Sequence, residues 1–224
     1  MDESSHESTP VSTPHDQVQD HQSVPMTEAE WDDRYASEQQ IWSGEPNVAL
    51  VTEVGGLEPG TALDVGCGEG ADALWLASQG WQVTALDVSA VALGRAAAEA
   101  RKRGAEVIWL HAGLLAAPRP LTGFDLVSAQ YPSLPSTRER TAERALLDAV
   151  ALGGHLLVVH HEMALDDAHA HGFDPTGFLG PSTVAELLDE DWSIIVEETR
   201  PRHVSTGAGA HHTHDVVLHA QRLA

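Results

Sequence analysis

Residues 63–89 read LDVGCGEGADALWLASQGWQVTALDVS, and the order of elements that they predict decides the fold. An apolar run reaches Val65 and is followed by a glycine-rich turn. Residues 71–79 then have helical composition, and Gly80 is a typical helix C-cap. A second apolar run ends at Asp87. A strand, a helix and a strand in this order predict the repeating unit of a parallel sheet.

The same alternation continues along the rest of the chain. Further strands are predicted at residues 106–110, 124–129, 155–159, 192–197 and 215–220, and further helices at residues 48–54, 89–103, 137–150 and 181–188. The loop from Arg200 to Thr213 joins the last two strands and leaves no room for a crossover helix. We therefore expect an α/β fold with a doubly wound, mostly parallel sheet of seven strands, in which one strand near the C-terminal edge is antiparallel.

The first part of the chain divides near residue 25. Residues 1–25 are polar and contain few apolar side chains, so we expect a disordered tail that cannot offset the entropy of ordering. Thr27 and Glu30 have the spacing of a capping box, which predicts a helix over residues 27–41. Residues 26–224 are long enough for one domain with its own core.

The charge of the chain is strongly negative, since 34 acidic and 12 basic residues give a net charge of −22 with neutral histidines. Such a field repels phosphate groups, which argues against nucleic acids and anionic membranes as partners. No apolar run is long enough to cross a bilayer, and the N-terminus lacks a secretory signal. The single cysteine, Cys67, excludes an intramolecular disulfide. We expect a cytoplasmic protein that acts on a small molecule.

The glycine-rich turn is a candidate cofactor site, because it lies at the carboxyl edge of the predicted sheet. Glycine at every second position over residues 66–70 permits a tight turn and a close approach of the backbone to a ligand. Asp87 ends the second strand, where a carboxylate can accept both hydroxyls of a ribose. Asp64 and Glu69 would repel a pyrophosphate but attract a cationic cofactor, which favours S-adenosylmethionine over NAD or FAD. The alternative is that Asp64 is a helix N-terminal acid and Glu69 a surface residue.

Residues 62–71 resemble the first motif of class I S-adenosylmethionine-dependent methyltransferases, and residues 83–89 resemble the second. FDLV at residues 124–127 is similar to the fourth-strand motif, and GGHLLVV at residues 153–159 to the start of the fifth strand. Residues 31–47 are similar to the tellurite-resistance and thiopurine methyltransferase group. The resemblance implies a Rossmann-like methyltransferase fold and in-line transfer of a methyl group to a small acceptor, such as a thiol or a chalcogen oxyanion.

In the tellurite-resistance and thiopurine group an N-terminal segment covers the cofactor and the substrate, which implies a helical lid over residues 26–55. Twelve residues are expected to contact the cofactor: Trp31, Tyr35, Trp42, Asp64, Gly66, Cys67, Gly68, Asp87, Val88, Gly113, Leu114 and Gln130. The resemblance implies that Asp64 meets the amino group, that Asp87 holds the ribose and that Val88 lies beside the adenine. Gly113 stands where the family often has an acid near the adenine, so contacts there would come from backbone atoms.

The sequence does not identify a catalytic residue, and four side chains are candidates: Tyr131, His160, His161 and His214. Tyr131 follows the fourth strand directly. In the family's sheet the reversed last strand neighbours the fifth strand. The histidines that end one of these strands and precede the other should therefore converge at the active-site edge. They would supply a base, hold a transition metal or form a solvated rim, and because their spacing matches no defined motif, no metal site is predicted.

Three alternatives stay open at this point. The aromatic side chains at 31, 35 and 42 either cover the cationic sulfonium or only pack an amphipathic helix. The protein either catalyses methyl transfer or senses S-adenosylmethionine or a metal without catalysis. A nucleotide-dependent oxidoreductase is disfavoured, because the turn lacks the G-x-G-x-x-G register and contains acids.

Overall fold

The computed structural model describes residues 25–118, 120–162, 177–202, 204, 206–208 and 212–223. Except for Pro25, the predicted tail lies outside the described residues. The strands are β1 (Thr61–Val65), β2 (Gln82–Asp87), β3 (Val107–His111), β4 (Phe124–Gln130), β5 (Val150–His161), β6 (Trp192–Pro201) and β7 (His214–Arg222). The helices are α1 (Glu28–Ser37), α2 (Val48–Val54), α3 (Ala71–Ser78), α4 (Ala90–Arg103), α5 (Thr141–Ala149) and α6 (Pro181–Ala185).

The seven strands of the described chain form one sheet in the order β3-β2-β1-β4-β5-β7-β6. β1 to β5 are parallel to one another, whereas β7 is antiparallel to both β5 and β6. This arrangement confirms the predicted fold class, including the reversed strand near the C-terminal edge. Because β7 is reversed, its first residues lie beside the last residues of β5, and Asp215 pairs with His161.

Helices cover both faces of this sheet, as a parallel sheet requires. On one face α2 buries Ala49, Leu50 and Val54, and α3 packs on the same side. On the other face α5 and α6 bury Leu146 and Val184. Burial of these apolar side chains is the main stabilising contribution to the fold. Among the described helices, none combines the length and apolarity needed to cross a bilayer.

Three of the predicted helices are clearly shorter in the structure. α6 ends at Ala185 rather than at residue 188, because the chain continues as a turn. α1 stops before Glu38, which is extended with φ −133° and ψ 155°, so the helix predicted over residues 27–41 is too long. The amide of Ile41 donates to a side chain of the glycine-rich turn instead of continuing the helix. α5 begins at Thr141 rather than near residue 137, because Arg140 has a left-handed φ of 53° that interrupts the helix.

Candidate active site

The carboxyl ends of β1, β2 and β4 border a cavity of about 310 Å³, a volume typical of small-molecule sites. All twelve residues predicted to contact the cofactor line this cavity. Three of the four catalytic candidates, Tyr131, His160 and His161, also line it. His214 is not among its described lining residues. The structure therefore brings most of the predicted site together, while the role of each residue towards a ligand stays a prediction.

The turn between β1 and α3 consists of glycines in the left-handed region, with φ of 73° at Gly66, 51° at Gly68 and 82° at Gly70. Other residues rarely adopt this conformation. The amides of Gly66 and Cys67 donate to the carbonyl oxygen of Leu86 at 2.8 and 3.0 Å, which holds the turn against the end of β2. A Cβ atom on Gly66 would have no atom within 4 Å, so the backbone is open to a ligand at this position.

Two buried acceptor atoms in the cavity wall, Asp64 Oδ2 and Gln130 Oε1, have no hydrogen-bond partner among the described residues. Asp64 is 2% exposed, and its burial raises the pKa of the carboxyl group well above its ordinary value. The neighbouring charges of Asp72 and Asp87 raise this pKa further. Gln130 Nε2 donates to Ser128 Oγ at 3.0 Å, which leaves Oε1 as the unpaired atom. Buried polar atoms are seldom unpaired, so these two indicate a ligand with N–H donors.

The carboxylate of Asp87 is held in place by two backbone amides at the end of β2. Gly68 N donates to Oδ2 and Ser89 N donates to Oδ1, each at 2.8 Å. Burial raises the pKa of Asp87, while these two hydrogen bonds oppose the increase. A carboxylate accepts about four hydrogen bonds, so both oxygens can accept a further one from a ligand. This capacity suits a pair of ribose hydroxyls.

Glu69 contacts the lid segment, which we define as residues 26–55. Glu69 Oε2 accepts from the amides of Ile41 and Trp42 at 3.2 and 3.1 Å. Glu69 Oε1 pairs with Arg95 at 2.8 Å, and Arg95 also donates to the backbone carbonyl of Tyr35. The carboxylate is thus engaged by the chain itself. The structure supports neither the prediction that Glu69 attracts a cationic cofactor nor the alternative of a surface residue.

Two further carboxylates connect the lid segment to the residues that follow β1 and β2. Asp32 Oδ1 accepts from Ser89 Oγ at 2.6 Å, and the pKa of Asp32 is lowered chiefly by this bond. Asp72 accepts from the backbone and the side-chain amide of Asn47, both at 2.7 Å. Burial raises the pKa of Asp72, while these amides lower it. Hydrogen bonds with residues beside the glycine-rich turn therefore hold the lid segment in place.

The aromatic residues of the lid segment lie directly on the glycine-rich turn. Trp42 Nε1 donates to Tyr35 Oη at 2.9 Å, and a Cβ atom on Gly68 would lie 2.8 Å from that hydroxyl oxygen. Burial raises the pKa of Tyr35, so the phenol stays neutral. The guanidinium carbon of Arg34 lies 5.7 Å from the centroid of the Trp31 ring and 5.9 Å from that of the Trp42 ring. The three rings thus both pack the segment and border the cavity.

The end of the cavity predicted to hold the adenine is formed mainly by backbone and apolar atoms. Gly113 is extended with φ −76° and ψ 158°, and Leu114 is buried beside it. A Cβ atom on Gly113 would contact Val88 at 3.4 Å. His111 Nε2 lies 2.9 Å from the carbonyl oxygen of Val88 and 3.2 Å from Glu28 Oε1. That an adenine takes its polar contacts from the backbone here stays a prediction.

The opposite end of the cavity is organised around Tyr131, which follows β4 with a left-handed φ of 51°. Its hydroxyl donates to Asp215 Oδ2 at 3.0 Å and accepts from Arg202 Nε at 3.2 Å. The Arg202 guanidinium lies 5.0 Å from the Tyr131 ring and 3.5 Å from Asp215 Oδ1. Sequence reasoning missed Arg202 and Asp215 as site residues. The adjacency of Asp215 to the predicted histidine cluster was the available signal, whereas Arg202 lies in a loop without a motif.

The two histidine clusters converge as predicted, although not through every member. The ring of His161 stacks on Tyr131 at 4.2 Å and on His212 at 3.7 Å. His214 Nδ1 lies 3.8 Å from Glu162 Oε2, and His211 is outside the described residues. Within the described part of the chain, no three histidine, cysteine or acidic side chains are grouped in a way that could hold a metal ion.

Comparison with protein families places a methyltransferase domain model on residues 62–154. An uncharacterised methyltransferase of Mycobacterium tuberculosis is 41% identical over 97 residues, which are 43% of this chain and 48% of the relative. Ribosomal RNA small subunit methyltransferase C of Alcanivorax borkumensis is 32% identical over 125 residues, 51% of this chain and 38% of the relative. The 2-heptyl-1-hydroxyquinolin-4(1H)-one methyltransferase of Mycobacteroides abscessus is 24% identical over 160 residues, 69% and 67% of the two chains. The chain spans about half the length of the first of these curated relatives.

Solved structures share the fold over most of the chain. A protein studied for the conversion of a disulfide bond into a thioacetal group during echinomycin biosynthesis is 25% identical, with a TM-score of 0.68 over 86% of this chain and 91% of that chain. The N-methyltransferase NodS of Bradyrhizobium japonicum, in complex with S-adenosylhomocysteine, is 21% identical with a TM-score of 0.64 over 88% and 99%. TehB of Haemophilus influenzae is 18% identical with a TM-score of 0.61 over 87% and 68%. These matches confirm the predicted fold, and the family model matches a methyltransferase domain over residues 62–154, which are less than half of the chain.

Proposed function

We propose that this chain is an S-adenosylmethionine-dependent methyltransferase that methylates a small-molecule acceptor in the cavity described above, and the methyltransferase domain model on residues 62–154 supports this. The observation that carries the proposal is the pair of buried acceptor atoms, Asp64 Oδ2 and Gln130 Oε1, which have no partner among the described residues. An ammonium group of the cofactor would donate to both. A pyrophosphate would instead place anionic oxygens beside buried carboxyl groups, which is unfavourable.

The residues present in the cavity fit this cofactor from end to end. Asp64 and Gln130 would hold the amino group, Asp87 the ribose, and the Val88 side chain with the Gly113 backbone the adenine. When bound, the cofactor supplies a methyl group activated on a sulfonium centre. The chain itself has to position the acceptor, exclude water and stabilise the positive charge of the sulfonium.

Three observations support a small acceptor over a macromolecular one. The cavity is covered by the lid segment, which favours compact substrates. The net charge of −22 opposes the binding of RNA, although one relative is named for a ribosomal RNA activity. The relative named for a hydroxyquinolinone acts on a small molecule by its name. The proposal includes an acceptor of the thiol, chalcogen or hydroxyl type. It also includes membership near the tellurite-resistance and thiopurine methyltransferase group, because the lid segment covers the glycine-rich turn as that resemblance implies.

Ligand-induced stabilisation tests the cofactor part of this proposal. At a concentration about 100 times Kd, S-adenosylmethionine or S-adenosylhomocysteine should stabilise the fold by about 2.7 kcal/mol, which raises Tm by roughly 5–10 °C for a chain of this length. NAD should leave Tm unchanged. Differential scanning calorimetry of the full chain makes the measurement. Stabilisation by NAD alone would favour the oxidoreductase alternative, and stabilisation by the methyl donor without turnover of any acceptor would favour the sensor.

The stabilisation by S-adenosylmethionine should also depend on pH. Burial raises the pKa of Asp64 in the folded protein, so without ligand its contribution to stability is present at low pH and is lost as pH rises through the raised pKa. A bound ammonium group favours the charged carboxylate and offsets that loss. The increase in Tm should therefore grow from about pH 5 to about pH 7, a range in which the amino group stays charged. An Asp64→Asn variant, which cannot titrate, should show a smaller and flatter increase, and a pH-independent increase in the unsubstituted protein would contradict the assignment.

A further inference from the structure

We propose that His160 accepts the proton of a neutral hydroxyl or thiol acceptor and so acts as the catalytic base, an inference that rests on the proposed function. The acceptor end of the cavity, which we define as Tyr131, His160, His161 and Arg202, contains several side chains able to exchange protons. Their contacts differ, and these contacts separate the residue that can take a proton from those that position it.

Tyr131 is engaged as a hydrogen-bond donor. Its hydroxyl donates to Asp215 at 3.0 Å and accepts from Arg202 at 3.2 Å. Burial and the charge of Asp215 raise the pKa of Tyr131, so the phenol stays protonated at neutral pH. Tyr131 therefore cannot serve as a base, and its fixed ring forms a wall of the acceptor end.

His161 and His214 are engaged by other side chains. The ring of His161 is stacked on both Tyr131 and His212, at 4.2 and 3.7 Å, and its Nδ1 lies 3.6 Å from Asp215 Oδ1. The two stacked rings hold His161 in place beside Tyr131, so we assign it a positioning role in this proposal. His214 lies outside the described lining of the cavity and points to Glu162 instead.

His160 lines the cavity, and one of its two ring nitrogens is engaged by the backbone. Its Nδ1 lies 3.4 Å from the carbonyl oxygen of His161, which can only accept a hydrogen bond. Nδ1 therefore carries the proton of the neutral ring, and Nε2 carries the lone pair. No described residue forms a hydrogen bond with Nε2. Burial, followed by the charge of His161, lowers the pKa of His160 to about 4, so the ring is neutral at physiological pH.

The surroundings of His160 favour a neutral acceptor over an anion. Arg202 is the only lysine or arginine among the described lining residues, and Asp215 lies 3.5 Å from it, so its charge is already compensated. The net charge of the chain also repels anions. Pro132 and Leu134 add apolar surface to the wall. An uncharged phenol, hydroxyl or thiol fits this environment better than an oxyanion such as tellurite or selenite.

The chemical step balances with His160 as proton acceptor. The oxygen or sulfur of the acceptor forms a bond to the methyl carbon, while the bond between that carbon and the sulfonium sulfur breaks and leaves its electron pair on sulfur. The proton of the acceptor passes to His160 Nε2 and then to solvent. A neutral acceptor and a cationic donor thus give two neutral products and one proton.

Acceptors of different acidity test the role of His160 in turnover. His160→Gln should reduce kcat by about 100-fold for a phenol that is protonated at the assay pH, which is the lower end of what a general base contributes, because the lowered pKa makes His160 a weak base. The same variant should lose less than about fivefold on a thiophenol that is already ionised, since no proton then has to be removed. His155→Gln is the control on the same strand: it removes a 3.0 Å contact with the buried His219 outside the cavity lining, so a loss that both variants share on every acceptor reports on the fold and not on proton transfer. Equal losses on both acceptors would mean that His160 has only a structural role.

A measurement without turnover provides the second readout. In the complex with S-adenosylhomocysteine no methyl group is available, and the absorbance of added 4-nitrophenol reports its ionisation. Binding beside His160 should shift formation of the phenolate to a higher pH in the unsubstituted protein than in His160→Gln, because a hydrogen bond from the phenol to the neutral imidazole stabilises the protonated phenol. Identical titration curves would overturn the proposal.

The two proposals fail in different ways. If calorimetry detects no binding of S-adenosylmethionine, the proposed function itself is wrong. If the methyl donor binds but none of a panel of phenols, alcohols and thiols is methylated, or only selenite and tellurite are, the neutral acceptor is wrong while the cofactor assignment survives. Methylation of the protonated phenol with the expected loss in His160→Gln supports both.

Discussion

Replacing Asp87 with alanine should weaken the binding of S-adenosylmethionine roughly 10- to 150-fold. Hydrogen bonds to a charged group contribute about 1.5–3 kcal/mol, and each 1.4 kcal/mol corresponds to a tenfold change in Kd. Asp87 is 7% exposed and lines the cavity, so in the alanine variant water cannot readily take over the hydrogen bonds of the missing carboxylate. The variant also releases the amides of Gly68 and Ser89, which loosens the turn that faces the ligand. Isothermal titration calorimetry with the unsubstituted chain as reference measures the loss.

Asp87→Asn is the matched control for this variant. The side chain keeps its shape and one acceptor oxygen but loses its charge, so affinity should fall by less than in the alanine variant. Circular dichroism should show that both variants retain the fold. Equal affinity of Asp87→Ala and the unsubstituted protein would remove Asp87 from the cofactor site.

Replacing Gly70 with alanine should destabilise the fold by roughly 2–5 kcal/mol. The left-handed φ of 82° costs an alanine about 1–2 kcal/mol, and overpacking adds about 1–3 kcal/mol. The new Cβ atom would lie 2.7 Å from the Cβ of Ala96 and 2.9 Å from the ring of Trp109. Since α4 and β3 contribute these atoms, the turn, the helix and the strand would have to separate. Urea denaturation followed by tryptophan fluorescence measures the change.

Gly66→Ala separates backbone strain from the steric clash. Gly66 has a similar φ of 73°, but a Cβ atom there would have no neighbour within 4 Å. Its loss of stability should be limited to the strain of about 1–2 kcal/mol. Similar losses in the two variants would show that packing against Ala96 and Trp109 does not restrict Gly70.

The order of strands could be predicted because each β-strand and helix is specified locally. Residues 61–65 and 82–87 alternate with helical segments bounded by Gly80 and Gly104, and a short connection predicted the reversal of the last strand. Helix ends depended on distant partners. α1 ends early because the Glu69 carboxylate, 28 residues after Ile41, accepts from the Ile41 amide. No local pattern around residue 41 carries that information.

The candidate site was predictable where a motif and a strand end coincide. Asp64, the glycines and Asp87 lie in one contiguous stretch, and the structure places all of them on the cavity. Arg202 and Asp215 could not be assigned in the same way. Their positions depend on the β5–β7 register, which pairs His161 with Asp215, and on a loop whose path has no sequence signature. The contacts of Glu69 with the lid segment could not be predicted either, because the local sequence around an acidic residue in a turn does not show which groups its carboxylate will bind.

The hydrogen bonds between the lid segment and the residues around the glycine-rich turn have a kinetic consequence. In the proposed reaction the spent cofactor has to leave after every cycle, and the lid segment, which borders the cavity, is held by Glu69, Asp32 and Asp72. Opening that path means breaking several hydrogen bonds at once. We therefore expect the residence time of the product, more than the bond-making step, to limit the number of cycles per second, as is common for enzymes with covered sites. Added salt weakens the partly exposed Glu69–Arg95 pair and should shorten that residence time.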